Sequence, residues 1–121
     1  MTMNAPAPAV LPLSMARKAG PFVFVSGQLA LQDGRIIGDD IGTQAGHVID
    51  AIARELGPYG LDLADIVKTS VWLVSADDFL AFNGVYATRF TDPYPARSTV
   101  ISALALPGAL VEIDAVALVR E

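Results

Sequence analysis

Two ionisable side chains interrupt segments that are otherwise apolar and β-branched. Pro95-Ala96-Arg97-Ser98-Thr99-Val100-Ile101 carries one guanidinium, and Leu110-Val111-Glu112-Ile113-Asp114 brings in a carboxylate. Both segments read as strands, over 98–103 and 109–119, with Leu106-Pro107-Gly108 as turn chemistry between them, so the spacing predicts antiparallel neighbours. Alternation then sets Arg97, Thr99, Ile101 and Ala103 on one face of the first strand, and Leu110, Glu112, Asp114, Val116 and Leu118 on one face of the second. A charge in such surroundings needs a partner, because burying it alone costs more than packing returns. Either Arg97 and Glu112 tie the strands together as an ion pair, or a ligand completes the set. In the second case Arg97 offers a planar fork of donors that fits a carboxylate, and Glu112 offers a proton acceptor and donor.

The strings Pro95-Ala96-Arg97-Ser98, Leu106-Pro107 and Leu110-Val111-Glu112-Ile113-Asp114 resemble the signature of the RidA (YjgF) family of imine deaminases. Phe24-Val25-Ser26-Gly27-Gln28, Asp65-Ile66-Val67-Lys68-Thr69 and Asp78-Phe79-Leu80-Ala81-Phe82-Asn83-Gly84-Val85-Tyr86 match in the same order, so the likeness takes in a whole domain. The resemblance implies hydrolysis of 2-imino acids, made by pyridoxal-phosphate enzymes, to 2-oxo acids and ammonia, with no metal or organic cofactor. It implies a chorismate-mutase-like fold and homotrimers with a site in each cleft between subunits, taking a small imino or oxo acid through its carboxylate. Arg97 would hold that carboxylate and Glu112 would handle the water, while Ser26, Gly27, Asn83 and Thr99 line the pocket. Two positions depart from the pattern: Leu13, in Leu11-Pro12-Leu13-Ser14, stands where well-known members have Tyr, and Thr99 where many have Cys. The Leu13 change removes a hydrogen-bond donor and bears on substrate range more than on reaction type. A non-catalytic trimer that binds a small carboxylate in a regulatory or chaperone-like role is the alternative.

Composition narrows the field. The chain has 121 residues, enough for one core, and reads as a single domain over 1–121 with an extended Ala/Pro arm over 1–12. Hydrophobic residues make up 53% against 17% charged, so some apolar surface is expected to close against copies of the chain. A net charge of −5, with the basic residues scattered, argues against nucleic acid, whose binders need a basic stripe. No apolar run is long enough to span a bilayer and Met1 to Val10 lacks signal-peptide features, which predicts no membrane association and a cytoplasmic location. There is no cysteine and one histidine, so thiolate chemistry is excluded and no metal site is expected.

The elements that must position these residues follow from periodicity. Phe22-Val23-Phe24-Val25 reads as a strand closed by Ser26-Gly27, where Gly27 either lets the backbone approach a ligand or serves a bulge. Asp33-Gly34 marks a hairpin turn. Ala45, Val48, Ile49, Ile52 and Leu56 recur at helical spacing, predicting a helix over 43–56 ended by Gly57-Pro58, with His47 off the stripe. Ile66 to Val74 carries apolar residues on both faces and so reads as a central strand. Ser75-Ala76-Asp77-Asp78 resembles a capping box ahead of a helix with a Phe79, Phe82, Tyr86, Phe90 stripe, on which Asn83 needs a polar partner. The expected architecture is α+β, a mixed sheet with two helices on one face. Ile101, Leu110, Val116 and Leu118 are expected on the bare face, where other subunits would dock.

Overall fold

The apolar stripes of two helices and the alternating strands bury one another in two layers. The computed structural model describes residues 11–120. Within them lie β1 (Ala16–Ala19), β2 (Phe22–Gln28), β3 (Leu31–Gln32), β4 (Arg35–Ile36), α1 (Ile41–Leu56), β5 (Ile66–Leu73), α2 (Phe79–Arg89), β6 (Ala96–Ile101) and β7 (Val111–Leu118). The main sheet has the order β1-β2-β7-β5-β6, with β5 and β6 parallel and the other pairs antiparallel. Most of the expected N-terminal arm, residues 1–10, falls outside the described residues.

α1 starts at Asp40, whose side chain accepts from the Thr43 N–H, so a side-chain oxygen satisfies one of the donors a helix start leaves open. Its whole predicted stripe, Ala45, Val48, Ile49, Ile52 and Leu56, is buried against Val23, Val25, Val111, Ile113 and Ala115 of the sheet. Each Ile or Leu taken fully out of water there contributes about 1.5–3 kcal/mol before the entropy of ordering is subtracted. Gln44, beside that stripe, is also buried. Its Nε2 donates to the carbonyls of Gly38 and Gly108 (3.0 and 2.9 Å), and its Oε1 accepts from the Leu110 N–H (2.8 Å). One side chain therefore fastens the loop before β7 to α1.

Ser75 caps the start of the second helical segment by accepting from the Asp77 N–H, and a 3-10 turn over Ala76–Asp78 leads into α2. Phe82, Tyr86 and Phe90 are buried as the stripe predicts, while Phe79 at the helix start stays partly exposed. The Asp33-Gly34 turn joins β3 to β4 with positive φ at both residues (53° and 76°), the geometry of a tight hairpin.

Three expectations need correction. β6 and β7 are not neighbours, because β5 lies between them. The unit β5-α2-β6 is a strand, a crossover helix and a parallel strand, so β6 sits at the sheet edge, and residues 102–110 carry the chain past β5 to β7. The Leu106-Pro107-Gly108 turn does form, with the Ala109 N–H donating to Leu106 O, but Gln44 holds it against α1 and it closes no hairpin. Second, β1, a strand that periodicity did not predict, pairs with β2 across a Gly20-Pro21 turn. Third, Ile101 is not on the bare face, because it aligns with buried Leu73 at the end of β6. Val116 and Leu118 are on the bare face as expected, with Phe24, Trp72 and Val100 beside them.

Candidate functional site

Register decides which of the proposed site residues can meet. Arg97 aligns with Thr69, whose buried hydroxyl reaches Tyr86 of α2, so Arg97 and Thr99 project on the helix side of the sheet. Glu112 aligns with Trp72 and alternates with buried Val111 and Ile113, so it projects on the opposite, bare side together with Asp114. The two charges expected to share one hollow within a chain therefore lie on opposite faces and on strands separated by β5. This corrects the sequence reading. Its cause is the strand order, since an adjacent pair in the assumed register would have placed both side chains on one face.

On the helix side, Arg97 is held in place. Its Nη2 donates to Asn83 Oδ1 of α2 (2.8 Å), and its Cζ stands 4.9 Å from the Tyr86 ring centroid, 5.6 Å from that of Phe82 and 5.8 Å from that of Phe79. Asn83 is thus satisfied by the guanidinium itself. Among the described residues the ion pairs are Arg89–Asp50, Arg120–Asp62 and Arg120–Asp65, and none involves Arg97. Its charge is balanced by aromatic faces and an amide oxygen, which leaves most of its donors open to a cleft of about 350 Å³ lined by Asn83, Tyr86, Ala87, Tyr94, Pro95 and Arg97. Two residues further along, the Thr99 hydroxyl is buried and has no hydrogen-bond partner among the described residues. Burial raises the pKa of Tyr86, against the opposing pull of its Thr69 hydrogen bond and the nearby Arg97 charge, so the phenol stays neutral at physiological pH.

On the bare side, Glu112 lies against the backbone of Gly27. A side chain at position 27 would overlap Glu112 Oε2 and come within 3.0 Å of its Cδ. Gly27 sits where the register of β2 against β7 shifts between Val25 and Gln28, so the glycine serves both a bulge and a close approach. Burial, reinforced by the like charge of Asp114, raises the Glu112 pKa above its ordinary value of 4.5. Asp114 accepts from the Ser70 N–H (3.1 Å). Ser26 donates its hydroxyl to Ser14 O (2.5 Å) and its N–H to Met15 O (2.9 Å), pinning the segment that follows Leu13 onto β2. Leu13 itself is 54% exposed. A hollow of about 310 Å³ on this side is lined by Ser14, Arg17, Phe24, Ser26, Asp114 and Val116 among others.

The proposed residues thus fall into two groups, Arg97, Asn83 and Thr99 on one face and Glu112, Gly27 and Ser26 on the other. Tyr86 and Tyr94 join the first group without having been singled out from the sequence. The signal for Tyr86 was its place one helical turn after Asn83 on the same stripe, which read as core packing. His47, off the α1 stripe as expected, stands away from both groups in a groove with Leu31, Gln32, Ile37 and Arg54.

The family model described as Endoribonuclease L-PSP matches residues 2–119. A RutC family protein of Pyrococcus horikoshii is 38% identical over 118 residues, 96% of this chain and 93% of that protein. The chloroplastic Reactive Intermediate Deaminase A of Arabidopsis thaliana is 38% identical over 115 residues, 92% of this chain and 61% of that longer protein. The crystal structure of RidA from the Antarctic bacterium Psychrobacter sp. superposes with a TM-score of 0.84 at 34% identity, over 98% of this chain and 96% of that one. Among the described residues no helix is long and apolar enough to cross a membrane. With the fold, the order of its motifs and nearly its full length shared with these proteins, the chain belongs to the YjgF/RidA family.

Proposed function

We propose that this protein is a cofactor-free hydrolytic deaminase that converts reactive 2-imino acids, and the enamines in equilibrium with them, to 2-oxo acids and ammonia. The observation that carries the reading is Arg97, a guanidinium with no carboxylate partner among the described residues, fixed at the wall of a cleft. A substrate carboxylate supplies the missing anion and is oriented by the guanidinium fork. The imine carbon, one bond away, is already electrophilic, so the protein needs to supply alignment and a proton shuttle. Water adds to that carbon as Glu112 takes one of its protons and passes it to the nitrogen, giving a carbinolamine; the hydroxyl proton then follows to nitrogen through the same carboxyl as the C=O bond forms, the C–N bond breaks and ammonia leaves. A carboxyl with a raised pKa suits both halves of that transfer, because its carboxylate is a better base toward water than an ordinary one while the protonated form is still acidic enough to deliver the proton to nitrogen. Leu13 in place of a phenol favours a narrower or more apolar substrate than usual for the family.

Because Arg97 and Glu112 face opposite sides of one sheet, this chemistry requires two copies of the chain, with Arg97, Asn83 and Thr99 from one and Glu112, Gly27 and Ser26 from the next. A homotrimer in which the bare sheet face of one chain meets the β6 edge and Arg97 cleft of the next meets that need, with Phe24, Trp72, Val100, Val116 and Leu118 on the face that is covered. The description of the family model names an endoribonuclease, but a net charge of −5 does not favour a phosphate backbone as substrate.

The test generates imines with an L-amino-acid oxidase, traps them with semicarbazide, and follows the loss of trapped product and the gain of 2-oxo acid. Wild-type protein is expected to speed 2-oxo acid formation, and Arg97→Ala to abolish that effect with its circular dichroism unchanged. Wild-type protein that binds 2-oxobutanoate but accelerates no imine would overturn the enzymatic reading.

A further inference from the structure

We propose that Tyr86 is a positioning residue, whose ring, pinned by Thr69, holds the Arg97 guanidinium in the one orientation that receives the substrate carboxylate. The inference rests on the function proposed above and adds a residue to it. Three contacts carry it. The Tyr86 ring is the nearest of the three aromatic faces to Arg97 Cζ, at 4.9 Å. Its hydroxyl is 2.8 Å from the fully buried Thr69 Oγ1, so the far end of the ring is fixed to the centre of the sheet. The ring also stacks on Phe90 with centroids 4.3 Å apart and planes 29° from parallel, which leaves it little freedom to swing.

An arginine on an edge strand has four side-chain torsions and would otherwise sample many rotamers. Asn83 Oδ1 fixes one end of the guanidinium, at Nη2, but a single hydrogen bond leaves rotation about it free. The Tyr86 face supplies the second restraint by defining the plane. Together they preset the fork toward the cleft that Tyr94, Ala87 and Pro95 also line.

The kinetic signature of such a role differs from that of a residue that touches substrate. Without the ring, the competent Arg97 orientation is only one of several, and apparent affinity falls by the fraction of time it is occupied. Once the carboxylate has bound, it selects that orientation, and the chemical step proceeds as before. Tyr86→Leu is therefore expected to raise KM about tenfold and leave kcat within about twofold, given the strength of a partly buried cation–π contact. Tyr86→Phe keeps the ring and should restore KM to within about threefold of wild type. Thr69→Val keeps both ring and packing but frees the hydroxyl, and should raise KM about two- to fivefold.

The experiment measures kcat and KM for a generated 2-imino acid, and Kd for 2-oxobutanoate by calorimetry, on wild type and these three variants with circular dichroism as the folding check. KM and Kd rising together in Tyr86→Leu, with recovery in Tyr86→Phe, supports the inference. If Tyr86→Leu does not fold, a rise in KM and Kd for Thr69→Val supports it, and unchanged values overturn it. Unchanged KM in a folded Tyr86→Leu, or a loss confined to kcat, also overturns it while leaving the deaminase reading intact. A wild type that hydrolyses no imine overturns the deaminase reading, and the calorimetric arm then decides the role of Tyr86 by itself.

Discussion

Gly27→Ala isolates the contact between the bulge of β2 and the carboxylate of Glu112. Gly27 is not among the glycines with positive φ, so its backbone accepts alanine without strain. The new methyl group would overlap Glu112 Oε2 and come within 3.0 and 3.2 Å of Cδ and Cγ. The carboxylate must therefore swing away, because it is the far end of a flexible side chain and the strand behind it is fixed on both edges. Rotating a glutamate off its preferred rotamer costs about 0.5–1.5 kcal/mol. Replacing glycine by alanine narrows the unfolded ensemble and returns about 0.4–1 kcal/mol, so the net stability change is expected to be under about 1 kcal/mol. Displacing a proton-transfer group by about 1 Å costs about a hundredfold in rate. The expected result is a near-normal denaturation midpoint, a Kd for 2-oxobutanoate within about twofold of wild type and kcat down about a hundredfold. Gly46→Ala in α1 is the matched control, since a side chain there meets nothing within 4 Å. It should keep full activity and gain about 1 kcal/mol of helix stability. Wild-type kcat in Gly27→Ala, or a loss confined to KM, would refute the role given to Glu112 at this position.

Two further outcomes are expected. The Glu112 pKa is raised above 4.5 in the folded chain, so the folded state binds more protons than the unfolded one above that pH, and the contribution of this group to stability falls as pH rises through the window. Glu112→Gln should accordingly need more denaturant than wild type to unfold at about pH 7, with the gap closing near pH 4, and a gap that does not shrink in acid would contradict the shift. Gln44→Leu removes the hydrogen bonds to Gly38, Gly108 and Leu110 and orphans buried backbone groups, for an expected loss of about 3 kcal/mol in urea unfolding. A loss below about 1 kcal/mol would show that the 102–110 loop does not depend on this clamp.

Local patterns were legible where one physical rule acted alone. The α1 stripe, the Asp33-Gly34 turn, the central place of β5 and the packing of Phe82 and Tyr86 all follow from periodicity or from φ preferences within a few residues. Strand order was not legible in that way, because it depends on pairing between distant segments. The turn at Leu106-Pro107-Gly108 suggested a hairpin, since strands read over 98–103 and 109–119 left only five residues between them, whereas nine residues separate Ile101 from Val111 in the structure, more than the two to five of common hairpin loops. The β5-α2-β6 order carried the better signal, since a strand, a helix and a strand in succession favour a parallel crossover. Both charged residues were visible from their surroundings, yet their relative placement inherited the error in strand order. Asn83 was recognised as needing a partner, but its partner, Arg97, lies on another element and could be found only from the fold.

The account stands on sites built from two copies of the chain. Arg97→Ala and Glu112→Gln chains, each inactive alone, are differently tagged, mixed in equal amounts, unfolded and refolded together, with mixed oligomers verified by native mass spectrometry. In a ring where one chain gives Arg97 and the next gives Glu112, about one quarter of the sites regain both groups, so about a quarter of wild-type activity is expected. Mixed oligomers that stay as inactive as either parent would contradict it.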